Sequence, residues 1–265
     1  MGIYKDFLVK ISGNAYVQRL LAKQVGTLNH AMGIGTSGDF SNDGEFIVFD
    51  LIRNKCQPPY CIFDVGSNKG QFLAYVLNDM KQTNCDIHCF EPSQESFRML
   101  TENSPASNRV TLNNLGLGKE SCGAILHYSE NGSEGASLTK RDLRQYGINM
   151  NHSEPVQLTT LDEYCLMHSI EHIHLLKLDI EGHELDALTG ARKMIIENKI
   201  DIILFEFGGC NIDTRRFFRD FWNFFENTPM NIFRTTPSGY LIKISKYKED
   251  LEQFSYSNFI VIRRT

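Results

Sequence analysis

Lys177, Asp179, Glu181 and Glu184 fall inside the run HLLKLDIEGHELDALTGA of residues 174–191, where an apolar stretch ends in acids, a glycine and a histidine and then turns into a helical pattern. Carboxylates at the end of a buried strand carry a desolvation cost, so their concentration there marks a ligand or a reaction that needs them. In an open α/β sheet, ligands sit outside the carboxyl ends of the strands, which is where this segment falls. Asp179 is the first candidate for a base that takes the proton of a hydroxyl, and His183 is the alternative because an imidazole titrates near neutrality. Glu206, in LFEFGG at the end of another apolar run, faces the same crevice and is suited to orient a hydroxyl. Lys177 and Glu181 complete the candidate catalytic group. Glu181 and Glu184 also have a structural reading, as caps of the helix that starts near Gly182 with Lys177 as their ion-pair partner.

A second group lies earlier in the chain. Phe63-Asp64-Val65-Gly66-Ser67-Asn68-Lys69-Gly70 follows a predicted strand and opens a helix, which is where a nucleotide-like ligand would bind. Its D-x-G-x-x-x-G spacing departs from the dinucleotide pattern, because Asn68 and Gln71 stand at the second and third glycine positions. It departs from the P-loop as well, because the lysine precedes the last glycine. Glu91, followed by Pro92 in CFEP, ends the next strand, and a carboxylate there accepts from both hydroxyls of a ribose. S-adenosylmethionine fits this set: it has a ribose and an adenine, no pyrophosphate, and an amino acid end whose carboxylate suits a helix N-terminus. Asp64 would take its ammonium group, directly or through water, and Asn114, Leu115 and Gly116 at the end of the third strand would frame the adenine.

The elements that must position these groups are short apolar runs: YCIFDV at 60–65, DIHCFE at 86–91, RVTLNN at 109–114, HLLKLD at 174–179 and DIILFEF at 201–207. Near-continuous apolarity with helical patterns between the runs implies a doubly wound α/β sheet with five parallel strands. NIFRTTPSGYLIKI and SNFIVIRR in the tail add an antiparallel edge pair. The glycine-, serine- and aspartate-rich residues 33–45 read as a covering segment rather than a linker. Division at residue 55 gives an N-terminal helical cover (1–55) and a main domain (56–265). The polar stretch 128–155 would lie above the sheet near the site. RRFFRDFWNFFEN at 215–227 reads as a helix packed on the sheet, with a subunit or ligand interface as the less favoured reading.

Composition narrows the classes. A chain of 265 residues and 42% hydrophobic content buries the core of one large α/β domain, and a net charge of −5 argues against nucleic acid as partner. The amphipathic, charged start is neither a signal peptide nor a spanning helix, and Asp6 breaks the myristoylation pattern. Seven scattered cysteines without a CxxC pair suit reduced thiols in a cytoplasmic protein, and the two N-x-S sites are then chance matches. His168-Ser169-Ile170-Glu171-His172 matches H-x-x-E-H but runs at once into a strand, so no metalloprotease site is assigned. Asp179, Glu181 and Glu206 would suit magnesium, although nothing requires it and no metal ligand is assigned.

FDVGSNKGQF, HCFEP, LTTLDEY at 158–164 and KLDIEGHELDALTGA at 177–191 together resemble the FkbM family of S-adenosylmethionine-dependent methyltransferases, over roughly residues 60–207. The resemblance implies a class I, Rossmann-like methyltransferase fold with a mostly parallel seven-stranded sheet in the order 3-2-1-4-5-7-6. It also implies methylation of a hydroxyl on a sugar, glycan or secondary metabolite. Carried over, Asp64, Gly66, Ser67, Asn68, Gly70, Glu91 and Pro92 are cofactor contacts, and Lys177, Asp179, Glu181 and Glu184 are the family's signature at the fourth strand. The partners expected are a small molecule or glycan, with no nucleic acid and no membrane insertion, and a homo-oligomer is compatible with the sequence. The rivals are a binding protein that holds the cofactor without turnover and a methyltransferase of another acceptor class. An N-P-P-Y tetrapeptide or a basic extension would mark a nucleic acid enzyme, and neither is present. A nicotinamide dehydrogenase is disfavoured by the missing glycines.

Overall fold

YCIFDV carries aromatic and branched side chains at successive positions, which suits a strand covered on both faces, and it forms β1 (Tyr60–Val65) at the centre of the sheet. A computed structural model of the chain describes Asp6, residues 9–36, Phe40 and residues 42–264. The first residues, on which the acylation reading rests, and residues 37–39 and 41 of the covering segment lie outside that description. β1 pairs in parallel with β2 (Cys85–Phe90) on one side and β7 (Ile173–Leu178) on the other, and this register sets Asp64 beside Lys177. β3 (Val110–Asn113) extends the sheet beyond β2, and β8 (Ile200–Phe207) extends it beyond β7.

The tail continues the sheet. β11 (Ser257–Arg263) inserts antiparallel between β8 and β9 (Met230–Thr235), and β10 (Leu241–Ile244) pairs with β9 at the edge. The order is therefore β10-β9-β11-β8-β7-β1-β2-β3, eight strands where seven were expected. The added strand comes from NIFRTTPSGYLIKI: Gly239 takes φ +78° and Thr236 N–H donates to Tyr240 O at 3.0 Å, so the chain doubles back and the run yields two strands. Without β10, the order reproduces the 3-2-1-4-5-7-6 sequence of strands.

Period-two alternation divides the side chains between two cores. Phe63, Leu176, Ile203, Phe205 and Val261 face one core, with α5 (Leu161–Met167), α6 (Glu184–Gly190), α7 (Arg192–Ile196) and α9 (Phe218–Glu226). Ile62, Leu175, Ile202, Leu204 and Ile260 face the other, under α2 (Ile47–Lys55), α3 (Gln71–Asp79) and α4 (Gln94–Asn103). The same alternation puts Asp64, Lys177 and Glu206 on the α2/α3 side, at the carboxyl ends of three adjacent strands. In the aromatic run, Phe218, Phe221 and Phe225 are buried on the sheet, which is the packed-helix reading.

α1 (Ala15–Ala31) has no buried residue, whereas Val48, Phe49 and Ile52 of α2 are part of the core. A second sheet, absent from the sequence reading, joins β4 (Gly116–Leu117), β6 (His152–Thr159) and β5 (Cys122–Tyr128). α8 (Cys210–Thr214) follows β8. Among the described residues no helix is long and apolar enough to cross a membrane.

Candidate functional site

A cavity of about 460 Å³ opens over the carboxyl ends of β1, β2, β7 and β8, within the range of small-molecule sites. Of the residues expected from the sequence, Gly66, Ser67, Asn68, Glu91, Pro92, Lys177, Asp179, Glu181, His183 and Glu206 line it. Asp64, Gly70, Asn114, Leu115 and Gly116 do not. Asp64 lies beneath the floor, Gly70 turns away into α3, and the chain after Asn113 bends to form β4. Asn114 Nδ2 donates to the carbonyls of Glu91 and Pro92, at 2.9 and 3.1 Å, and so holds the neighbouring loop instead of meeting the cavity. Leu117, Leu126 and Leu158, from the small sheet, form the apolar wall there.

The glycine loop is built on left-handed backbone, with φ +82° at Gly66, +46° at Asn68 and +91° at Gly70. A Cβ on Gly66 would lie 1.9 Å from the Asp179 carbonyl, so β1 and β7 approach as closely as they do only because this residue is glycine. Glu91 fastens the loop: its two carboxylate oxygens accept from Asn68 N–H at 2.9 Å and from Ser93 N–H at 2.8 Å. Burial raises its pKa and these two donors lower it, leaving it at about 7. Gly70 gives α3 no side-chain cap, so the helix's first N–H groups remain available at the cavity mouth.

Lys177 is buried under the cavity, with Nζ 2.9 Å from Asp179, 3.9 Å from Asp64 and 5.3 Å above the Phe72 ring. Burial opposes its charge, but Asp179, Asp64 and Glu45 outweigh that and hold its pKa above the ordinary lysine value. Asp64 is fully buried with both oxygens lacking a hydrogen-bond partner, and desolvation pushes its pKa up against the pull of Lys177. Asp179, by contrast, has 41% of its side chain exposed. Glu181 takes φ +54° and pairs with Arg141, which also lies 3.5 Å from Asp213. Its pKa is raised by burial to about 7 despite that arginine. Glu184 is inside the protein: Oε1 accepts from Ile180 and Gly182 N–H at 3.1 and 3.0 Å, and burial raises its pKa to about 8.

Both ring nitrogens of His183 are engaged, Nδ1 with Asp186 at 3.1 Å and Nε2 with the Thr139 hydroxyl at 3.0 Å. Because Asp186 accepts from Nδ1–H, the neutral ring keeps its lone pair on Nε2, where it accepts from the Thr139 hydroxyl. Arg216 steadies Asp186 from behind at 2.9 Å.

Phe40, Glu45 and Tyr256 are among the lining residues that were not picked out in the sequence. Glu45 is 7% exposed, and burial, opposed by Lys177 and reinforced by Asp43, Asp179 and Asp64, lifts its pKa to about 8. Its position follows from Gly44, whose φ of +85° and missing Cβ let the turn rest on the Thr236 carbonyl. An acid after Asp-Gly was the one signal available.

Three ligand-type groups with atoms within 4.8 Å of one another occur among the described residues at His172, His174 and Asp201, at the opposite, amino-terminal ends of β7 and β8. They are already satisfied. Asp201 is bonded by His172 and by Arg263 at 2.7 and 2.8 Å, and His174 Nδ1 accepts from Cys61 N–H at 2.9 Å, which leaves the proton on Nε2. The H-x-x-E-H run, residues 168–172, forms the connection between α5 and β7 and is not helical. Asp179, Glu181 and Glu206 do not come together in such a group.

A doubly wound sheet with this strand order, a glycine loop after β1 and acids at the next strand ends defines the class I methyltransferase type of α/β protein. A family profile described as Methyltransferase FkbM domain matches residues 64–228, and the chain belongs to that family. It is 26% identical over 148 residues to the hexuronic acid methyltransferase AglP of Haloferax volcanii, covering 56% of each chain. It is 23% identical over 153 residues to the 2-O-methyltransferase NoeI of Sinorhizobium fredii, covering 54% of this chain and 62% of that one. The match thus spans little more than half the length of these relatives. A crystal structure of a methyltransferase FkbM from Methylobacillus flagellatus KT superposes with a TM-score of 0.45 at 15% identity, over 94% of this chain and 60% of that one.

Proposed function

We propose that the protein is an S-adenosylmethionine-dependent O-methyltransferase acting on a hydroxyl of a sugar, glycan or secondary metabolite. The observation that carries this reading is the meeting, in one cavity, of the glycine loop, Glu91 and the Lys177–Asp179 pair, each from the end of a different strand. The names of two relatives, for hexuronic acid and for 2-O-methylation, support an oxygen acceptor on a sugar.

The residues fit the cofactor on their own geometry. Asn68 Oδ1, on a residue that lines the cavity, is a buried acceptor without a hydrogen-bond partner and is matched to an ammonium group, which Asp64 beneath the floor would meet only through water. The first N–H groups of α3 suit a carboxylate, and Leu117, Leu126 and Leu158 offer an apolar wall for a purine. Glu91 would meet the ribose with the lone pairs that its two backbone donors leave free. When bound, the cofactor supplies a methyl on a sulfonium: the acceptor oxygen forms a C–O bond as the C–S bond breaks, the bonding pair returns to sulfur, and the hydroxyl proton leaves to a base.

Asp179, open to the cavity and held by Lys177, takes that proton. His183, which lines the cavity, is the second candidate base once its Nε2 is released from the Thr139 hydroxyl. Glu206, whose pKa burial and the nearby Asp179, Glu181, Glu184 and Glu45 drive well up, lines the cavity at the end of β8 and orients the acceptor. The segment up to residue 55 serves as cover for the transfer domain of 56–265, through Phe40 and Glu45. Seven free cysteines support a reducing, cytoplasmic setting.

Calorimetry with S-adenosylmethionine and with NAD, followed by labelled methyl transfer to free sugars, nucleotide sugars and glycan fragments, tests the reading. Binding of S-adenosylmethionine and label on a sugar oxygen are expected. Tight NAD binding without S-adenosylmethionine binding overturns it.

A further inference from the structure

Charge is not balanced around this cavity. Six lining residues are acids (Glu45, Glu91, Glu134, Asp179, Glu181 and Glu206), against Lys177 as the single lysine. Four of the six are satisfied: Asp179 by Lys177, Glu181 by Arg141, Glu91 by two backbone N–H groups, and Glu134 by Gln71 Nε2 at 3.1 Å. Glu45 and Glu206 have no side-chain hydrogen bond or ion pair among the described residues. Glu45 is more than nine-tenths buried and nonetheless opens into the cavity. Glu206 stands on β8, two strands from the glycine loop, and so lies on the acceptor side of the Lys177–Asp179 pair; Glu45 lines the same cavity and interacts with both members of that pair.

A buried carboxyl with no cation in direct contact holds its proton more tightly, and a cation brought against it is held strongly because little water competes. We infer that the acceptor carries a protonated amine, an amino sugar in place of a neutral or acidic one, and that Glu45 and Glu206 seat that ammonium group while a neighbouring hydroxyl is presented to Asp179. The inference rests on the methyl-transfer reading and specifies its substrate class. Burial and the neighbouring acids already raise both carboxyls, that of Glu45 to about 8, so seating an ammonium group there expels their protons. A uronic acid would set a further carboxylate against the same wall and is excluded.

The test uses the full chain loaded with S-adenosylhomocysteine for binding and with S-adenosylmethionine for transfer. Matched methyl glycosides of glucosamine, N-acetylglucosamine and glucuronic acid are compared in wild type, Glu45→Gln and Glu206→Gln. The amine is expected to bind and react at least about tenfold better than its N-acetyl counterpart. That preference should fall about fivefold or more in either variant, through KM more than kcat. Equal or better use of the N-acetyl or acidic sugar, or no binding of any of the three by cofactor-loaded protein, overturns the inference while leaving methyl transfer to other hydroxyls open. Variants that weaken S-adenosylmethionine but not S-adenosylhomocysteine, with sugar preference unchanged, also overturn it, since the acids would then serve the sulfonium. Failure of wild type to bind the cofactor at all removes the proposed function and this inference with it.

Discussion

Asp179 and Lys177 are two residues apart and differ sharply in surroundings. The lysine is buried and the aspartate is open to the cavity, so the pair behaves as a fixed cation orienting a reachable carboxylate. Asp179→Asn keeps the shape and removes the base, so kcat should fall about 10²- to 10⁴-fold, with cofactor affinity within a few-fold by calorimetry. If His183 were the base instead, the loss would follow His183→Gln. Glu91 has no such freedom, because both its oxygens receive a backbone N–H. Glu91→Gln would set an amide N–H₂ against one of those donors and loosen the glycine loop. A weakening of S-adenosylmethionine binding by about 10- to 100-fold is expected, and unchanged affinity would separate Glu91 from the cofactor.

At the scale of elements, the close crossing of the β1 loop and the end of β7 depends on Gly66. An added methyl would meet the Asp179 carbonyl at 1.9 Å from a φ of +82°, so Gly66→Ala should cost about 3 kcal/mol or more in urea unfolding and abolish cofactor binding. The parallel strands were legible in the sequence because strands covered on both faces read as unbroken apolar runs, and the acids at their ends were placed with them. β5 and β6 were not, since CGAILHY and HSEPVQLT are half-exposed and mix polar with apolar positions without a clear period. That small sheet supplies the leucine wall, which is why Asn114–Gly116 were expected at a place that Leu117, Leu126 and Leu158 occupy. Glu45 and Tyr256 escaped for a different reason. Each is brought in by long-range docking, Gly44 on Thr236 and Gly35 N–H on the Tyr256 carbonyl at 2.7 Å, and no local pattern encodes such contacts.

Across the whole molecule, several carboxyls hold protons more tightly when folded than an ordinary glutamate does in water, among them Glu184 and Glu45 at about 8. Such groups stabilise the fold fully below their unfolded pKa, and the contribution is lost as pH rises through the folded value. The melting temperature of the ligand-free protein should therefore decline between about pH 5 and pH 8, and Glu184→Gln, which keeps an acceptor for Ile180 and Gly182, should flatten the decline. A melting temperature that rises over that range would contradict the burial of these groups. α1 has no buried residue, so Leu20→Ala within it should move the midpoint by no more than about 2 °C. Glu45 and Tyr256 both lie outside residues 64–228, the stretch that carries the family match. The glycine loop and the Lys177–Asp179 pair lie within it. Two walls of one cavity thus belong to stretches of chain free to change separately: the flanks on either side can be rewritten for a new acceptor while the methyl-handling centre stays as it is.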